Sequence, residues 1–160
     1  MNDYKHTQSG TLIRVLLGLV GVAIVAPAAQ KLASGVETTE TAIVISVIVV
    51  ICASIVALFH SSTVRVSRND IFLSFGIGLI RKRFLIHDIK SATIVRNRWY
   101  NGWGIRKIWG GWLYNVSGFD AVEIQLKNDR RYRIGTDQPF ELLAAIEHQY
   151  KATVSQPTLT

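Results

Sequence analysis

The chain has 160 residues, 49% of them hydrophobic and 18% charged, with a net charge of +7. The first 59 residues balance Lys5, Arg14 and Lys31 against Asp3, Glu37 and Glu40, so the whole excess lies beyond them, where fifteen bases face eight acids. An oily neutral part joined to a basic part excludes a single soluble globule and a disordered basic tail, and the lone Cys52 excludes a disulfide scaffold.

Residues 1–10 read as a short polar tail. Residues 11–29 form the first candidate membrane helix, with Arg14 near its start, able to snorkel to an interface, and Pro27 in its last turn. A second reading makes Lys5 and Arg14 a signal-peptide n-region, Val15–Val25 its apolar core and Ala26-Pro27-Ala28 a cleavage site. Residues 30–40 are polar and form an external loop around Ser34-Gly35. Residues 41–59 are the clearer span: nineteen residues without a charge, rich in Ile and Val, with Thr41, Ser46 and Ser54 the only hydroxyls. At 1.5 Å per residue about 20 residues cross a hydrocarbon core. Gly18 with Gly21, and Ala53 with Ala57, provide small residues for close helix packing.

The bases after the second run, Arg65, Arg68 and Arg81-Lys82-Arg83, place the C-terminal domain on the cytoplasmic side of the cell inner membrane. The cleaved reading gives the same side, because the second run then stops transfer.

From residue 61 the pattern turns to short alternating segments. Ser62–Ser67, Ile71–Phe75, Leu79–Ile86, Ala92–Trp99, Gly111–Val116, Ala121–Lys127 and Arg131–Thr136 predict about seven antiparallel strands in a barrel or sandwich. His87-Asp88-Ile89 is a connector, and residues 100–110 are a glycine-rich stretch. Thr136 or Asp137 then caps a helix with Pro139 in its first turn and Leu142, Leu143, Ile146 and Tyr150 on one face. The domain spans 61–150, and 151–160 form a flexible tail.

This order resembles the pleckstrin-homology-like (PH-like) fold, as found in bacterial membrane proteins that carry such a domain after a transmembrane hairpin. The resemblance covers roughly 61–150 and rests on Val66–Asp70, Arg81–Ile86 with His87-Asp88-Ile89, and Gly102–Arg106. Gly111–Gly118 and Ile134–Asp137 before the helix complete it. It implies a membrane α-helical hairpin plus a mainly-β domain closed by one C-terminal helix, and a non-catalytic adaptor role. It transfers no catalytic residue and no ligand.

Catalytic patterns are poor. His6, His60, His87 and His148 are scattered without metal-ligand spacing, and Cys52 sits mid-span as an apolar filler. His87 and Asp88 point to opposite faces of an extended chain. Gly76-Ile77-Gly78 and Gly102-Trp103-Gly104 are too short for a phosphate loop. No enzyme activity, metal or cofactor is expected.

The stretch 96–114 interleaves Trp and Tyr with bases. It reads as a glycine-bent strand whose rings fill a barrel mouth, as an interfacial loop on anionic lipid, or as a partner-binding surface. The candidate lipid- or partner-binding residues are Arg81, Lys82, Arg83, Arg96, Arg98, Trp99, Trp103, Arg106, Lys107 and Trp109. The expected partners are the lipid bilayer, a protein partner or a second copy, and anionic headgroups. Nucleic acid is the lesser reading, because positive charge beside a membrane already serves topology. The expected function is a non-enzymatic, membrane-anchored PH-like binding or assembly module. The alternatives are an anionic-lipid-binding domain and a subunit of a membrane enzyme complex.

Overall fold

The alternation that begins at Ser61 is what a half-buried strand requires, since successive side chains face opposite sides of a sheet. A computed structural model, which describes residues 3–35 and 39–154, places nine strands there and in the N-terminal segment. In chain order these are β1 (Tyr4–Ser9), α1 (Thr11–Ala33), α2 (Thr39–Phe59), β2 (Ser61–Val66), β3 (Asp70–Phe75) and β4 (Ile80–Leu85). Next come β5 (Ile89–Arg96), β6 (Gly104–Ile108), β7 (Gly111–Asn115), β8 (Asp120–Leu126), β9 (Arg131–Gly135) and α3 (Pro139–Val154). Single 3-10 turns occupy Ile86–Asp88 and Trp99–Asn101.

The strands form two sheets, one ordered β1-β2-β3-β4 and the other β5-β8-β9-β7-β6. Val64, Val66, Ile71, Leu73 and Phe75 from the first face Val122, Ile124 and Ile134 from the second, in one buried cluster. Leu142 and Ile146 of α3, 0% and 1% exposed, complete this cluster. Each such side chain contributes about 1.5–3 kcal/mol of apolar burial. The Thr136 hydroxyl accepts the Gln138 N–H at 3.1 Å just before α3, and Pro139 takes its first position, where no N–H is needed.

Several expectations change. Residues 4–9, within the predicted N-terminal tail, form an edge strand, Tyr4↔Val66 through Ser9↔Ser61. Its one aromatic residue among polar neighbours shows no apolar alternation, so the strand exists because β2 offers it a ladder. Among the described residues, 61–150 hold eight strands rather than about seven, and β1 makes nine. The glycine-rich stretch supplies β6, and one pair, β7 with β9, runs parallel, not antiparallel. His87 and Asp88 are not extended: the 3-10 turn brings His87 Nε2 within 3.2 Å of the Asp88 carboxylate, both exposed. The apolar start of α1 continues past Pro27 to Ala33, so the predicted loop at 30–40 is shorter. Residues 36–38, part of that loop, lie outside the described residues, as do residues 155–160 of the predicted tail.

Among the described residues one helix is long and apolar enough to cross a membrane, over Ala42–Phe59, and none of that stretch is buried within the molecule. The apolar part of α1, Ile13–Ala28, falls short of that length. The two helices lie side by side, sharing a groove lined by Gly18 and Gly21 on one and by Cys52 and Ala53 on the other.

The helices therefore stand as an insertion between two paired strands. At their base the Gly10 N–H donates to the His60 carbonyl at 2.8 Å, and the Arg14 guanidinium donates to the same oxygen at 3.0 Å. A side chain on Gly10 would run into the Phe59 carbonyl, so the close approach of α1 and α2 at this level needs glycine there.

Candidate functional site

The chain between β5 and β6 crosses the end of the second sheet. The Asn97 N–H donates to the Phe119 carbonyl at 2.7 Å, and the Trp103 indole donates to the Gly118 carbonyl at 3.3 Å. Trp103 also meets Phe119, with ring centroids 6.1 Å apart. Between these anchors Trp99 and Tyr100 are carried outward on the 3-10 turn, with Arg98 extended just before it.

In the second sheet Glu123, Arg133 and Leu113 lie in register on neighbouring strands, on the face opposite the core residues Val122, Ile124 and Ile134. Arg133 Nε donates to Glu123 at 2.7 Å and its Nη1 to Asn97 Oδ1 at 3.2 Å. Asn97 is 5% exposed. Beside this triad opens a cleft of about 460 Å³ lined by Arg96, Arg98, Tyr100, Asn101, Ile108, Trp109 and Arg133. Glu123 neutralises one of its three guanidinium groups; among the described residues no carboxylate forms an ion pair with Arg96 or Arg98. Arg98 donates to the Tyr100 hydroxyl at 2.9 Å and lies 5.8 Å from that ring's centre. Trp109 is wholly exposed at the tip between β6 and β7. The cleft thus offers two cations without an ion-paired carboxylate among the described residues, between two aromatic walls, an arrangement suited to an anionic group attached to a flat or apolar body.

Of the ten predicted residues, Arg96, Arg98 and Trp109 meet at this cleft. Trp99 projects beside it from the same turn, while Trp103 anchors the loop and accepts the Arg106 guanidinium on its carbonyl at 3.0 Å. Lys107 lines a separate hollow with Trp112, Asp129 and Arg131. There Lys90 donates to Asp129 at 3.0 Å and holds that carboxyl below its usual range. Arg81, Lys82 and Arg83 lie on β4 in the other sheet and do not join the cleft. The three do not share one face either: strand alternation leaves Arg81 and Arg83 exposed and turns Lys82 the other way. Lys82 turns inward over the Phe84 and Tyr132 rings at 5.9 and 5.7 Å, and Arg83 is bonded to Asp70.

Four cleft residues are absent from the predicted set: Tyr100, Asn101, Ile108 and Arg133. Arg133 alternates with Tyr132 and Ile134, which marks it as outward-facing, but nothing local tells that β9 lies beneath the loop after β5. Deeper in the fold, burial raises the Tyr114 phenol above its ordinary pKa; with Phe75, Phe84 and Tyr132 around it, it is a core residue. Among the described residues no three metal-ligating side chains cluster.

Comparison with known families, curated proteins and solved structures finds no match to this chain. The molecule is defined by its own architecture: a mainly-β body of two sheets closed by a C-terminal helix, with a pair of apolar helices inserted between its first two strands.

Proposed function

We propose that this chain is a membrane-anchored, non-enzymatic binding module, with α1 and α2 crossing as a hairpin and a PH-like domain on the cytoplasmic face of the cell inner membrane. The observation that carries the binding role is the cleft in which, among the described residues, no carboxylate forms an ion pair with Arg96 or Arg98, between Tyr100 and Trp109. Such a cation pair beside exposed aromatic rings contributes little to folding and suits an acidic segment of an assembly partner. The parallel β7–β9 pair and the added strand β1 are departures from the PH-like pattern, and both leave the two-sheet body with its closing helix in place.

Capture of the full chain in mild detergent tests this role. A protein recovered with the wild type and lost with Arg96→Glu/Arg98→Glu supports it; the same proteins recovered from both sink it. The anchor is tested by reporter fusions at Ser34 and at the C-terminus, where a cytoplasmic signal at Ser34 overturns the hairpin. A second reading, contact with anionic lipid, is favoured by a different part of the molecule, the turn between β3 and β4.

A further inference from the structure

The turn Gly76-Ile77-Gly78-Leu79 does not project freely from the β body. The Gly76 N–H donates to the Ser61 carbonyl at 2.8 Å, and the Ile77 N–H donates to the Ala57 carbonyl at 3.3 Å. Ala57 lies inside the apolar stretch Ala42–Phe59, two residues before the end of α2, or about 3 Å along its axis. Gly76 adopts φ +49° and presses on the carbonyls of Ala57 and Leu58, where no Cβ fits. The turn is thus bonded at the level of the last helical turn, not below it.

At this level the two non-glycine side chains are aliphatic and face outward: Ile77 is 64% exposed and Leu79 73%. A soluble turn at such a place is ordinarily polar. Arg81 folds back over the same turn, its Nε donating to the Gly78 carbonyl at 2.5 Å, so a cation stands immediately behind the two apolar tips. Apolar tips ahead of a guanidinium match the order of a leaflet met from the water side, with phosphates outside and acyl chains within.

We propose that the β3–β4 turn is a third membrane contact, with Ile77 and Leu79 seated at the acyl–headgroup boundary beside the emerging α2 and Arg81 at the phosphates. This rests on the reading of α2 as a span. Its consequence is orientation. A domain held by a helix end alone can tilt about its linker, whereas a domain also seated by a turn bonded to that helix keeps one face to the membrane.

The experiment uses the full chain with Cys52→Ser, reconstituted into phosphatidylcholine vesicles containing a minor share of phosphatidylglycerol. A polarity-sensitive fluorophore is attached, one position at a time, to Ile77→Cys, Leu79→Cys, Val50→Cys in α2 and Asn128→Cys in the β8–β9 turn. The proposal expects blue-shifted emission at 77 and 79, quenched by lipids with a nitroxide high on the acyl chain. It also expects weaker quenching at 77 on Arg81→Glu and a water-like signal at 128. Water-like emission at 77 and 79 with lipid quenching at 50 overturns the proposal and leaves the span standing. Water-like emission at 50 as well overturns both, the span first.

Discussion

The helical pair and the β body treat the same kind of residue in opposite ways. In the helices Leu19, Val22 and Val50 are about two-thirds exposed; in the sheets Val66, Ile71 and Leu73 are fully buried. Composition does not separate them, because both are rich in Val, Ile and Leu. Period does: an apolar run at every position leaves a helix with no polar face to turn outward, whereas alternation gives a strand one side for water and one for a core. The two regions meet through a few hydrogen bonds at Gly10, Arg14, His60 and Ile77 and through the packing of Phe59 on Phe75, so their coupling is narrow and open to attack.

The contrast breaks most sharply on truncation. Leu73→Ala removes a fully buried side chain between the sheets and is expected to cost about 2–5 kcal/mol, whereas Val50→Ala in α2 leaves the β body within about 0.5 kcal/mol. Urea unfolding of the full chain in detergent, followed by tryptophan fluorescence, reads both, and equal losses would erase the distinction. Next comes the joint. Gly10→Ala places a methyl against the Phe59 carbonyl and is expected to cost about 1–3 kcal/mol, with faster amide exchange in β1 than in β8. Uniform exchange rates would mean that the joint does not support β1.

Glu123→Gln is expected to cost about 1–2 kcal/mol, since the charged acceptor of Arg133 becomes a neutral amide oxygen and only the neutral Asn97 stands beside it. It also makes the cleft more positive, so an acidic partner captured by the wild type is expected to bind more tightly; weaker capture would move the binding surface elsewhere.

The smallest effect is one of pH. Burial, then the charges of Glu141 and Asp137, push the Tyr4 phenol up to about 12 from its ordinary 10.0. The fold therefore favours the neutral phenol. Its contribution is complete below pH 10 and is lost as pH rises through about 12. Loosening of β1 over that window, absent in Tyr4→Phe, is the expected outcome, read by amide exchange of Lys5 and Thr7 against that of β8. An identical alkaline profile in Tyr4→Phe removes Tyr4 as the cause.

Much of the body was legible locally. Val64, Val66, Ile71, Leu73 and Phe75 alternate cleanly, and all are buried as that alternation requires. Leu142 and Ile146 recur at helical spacing and close the core. The candidate site was legible only in part. Its loop stood out for tryptophan and arginine, but clustering along the chain grouped Lys107 with Arg96, which line separate hollows, and Lys82 with Arg81 and Arg83, from which it turns away. Neighbours on a strand face apart, while Arg133 reaches the loop only through the sheet.

The amino-acid order alone determined where the chain is oily, where it alternates, where its charge lies and where its last helix begins. These are properties of a few adjacent residues and the periods of helix and strand. Tertiary structure alone decided that a polar N-terminal segment becomes strand β1, that β7 and β9 run parallel, that Arg133 joins Arg96 and Arg98, and that Ile77 sits against Ala57. Each of these joins segments distant in sequence, and a backbone ladder or a shared cleft accepts many side chains. The choice is made by which partners the fold brings within bonding distance, and that leaves no local mark.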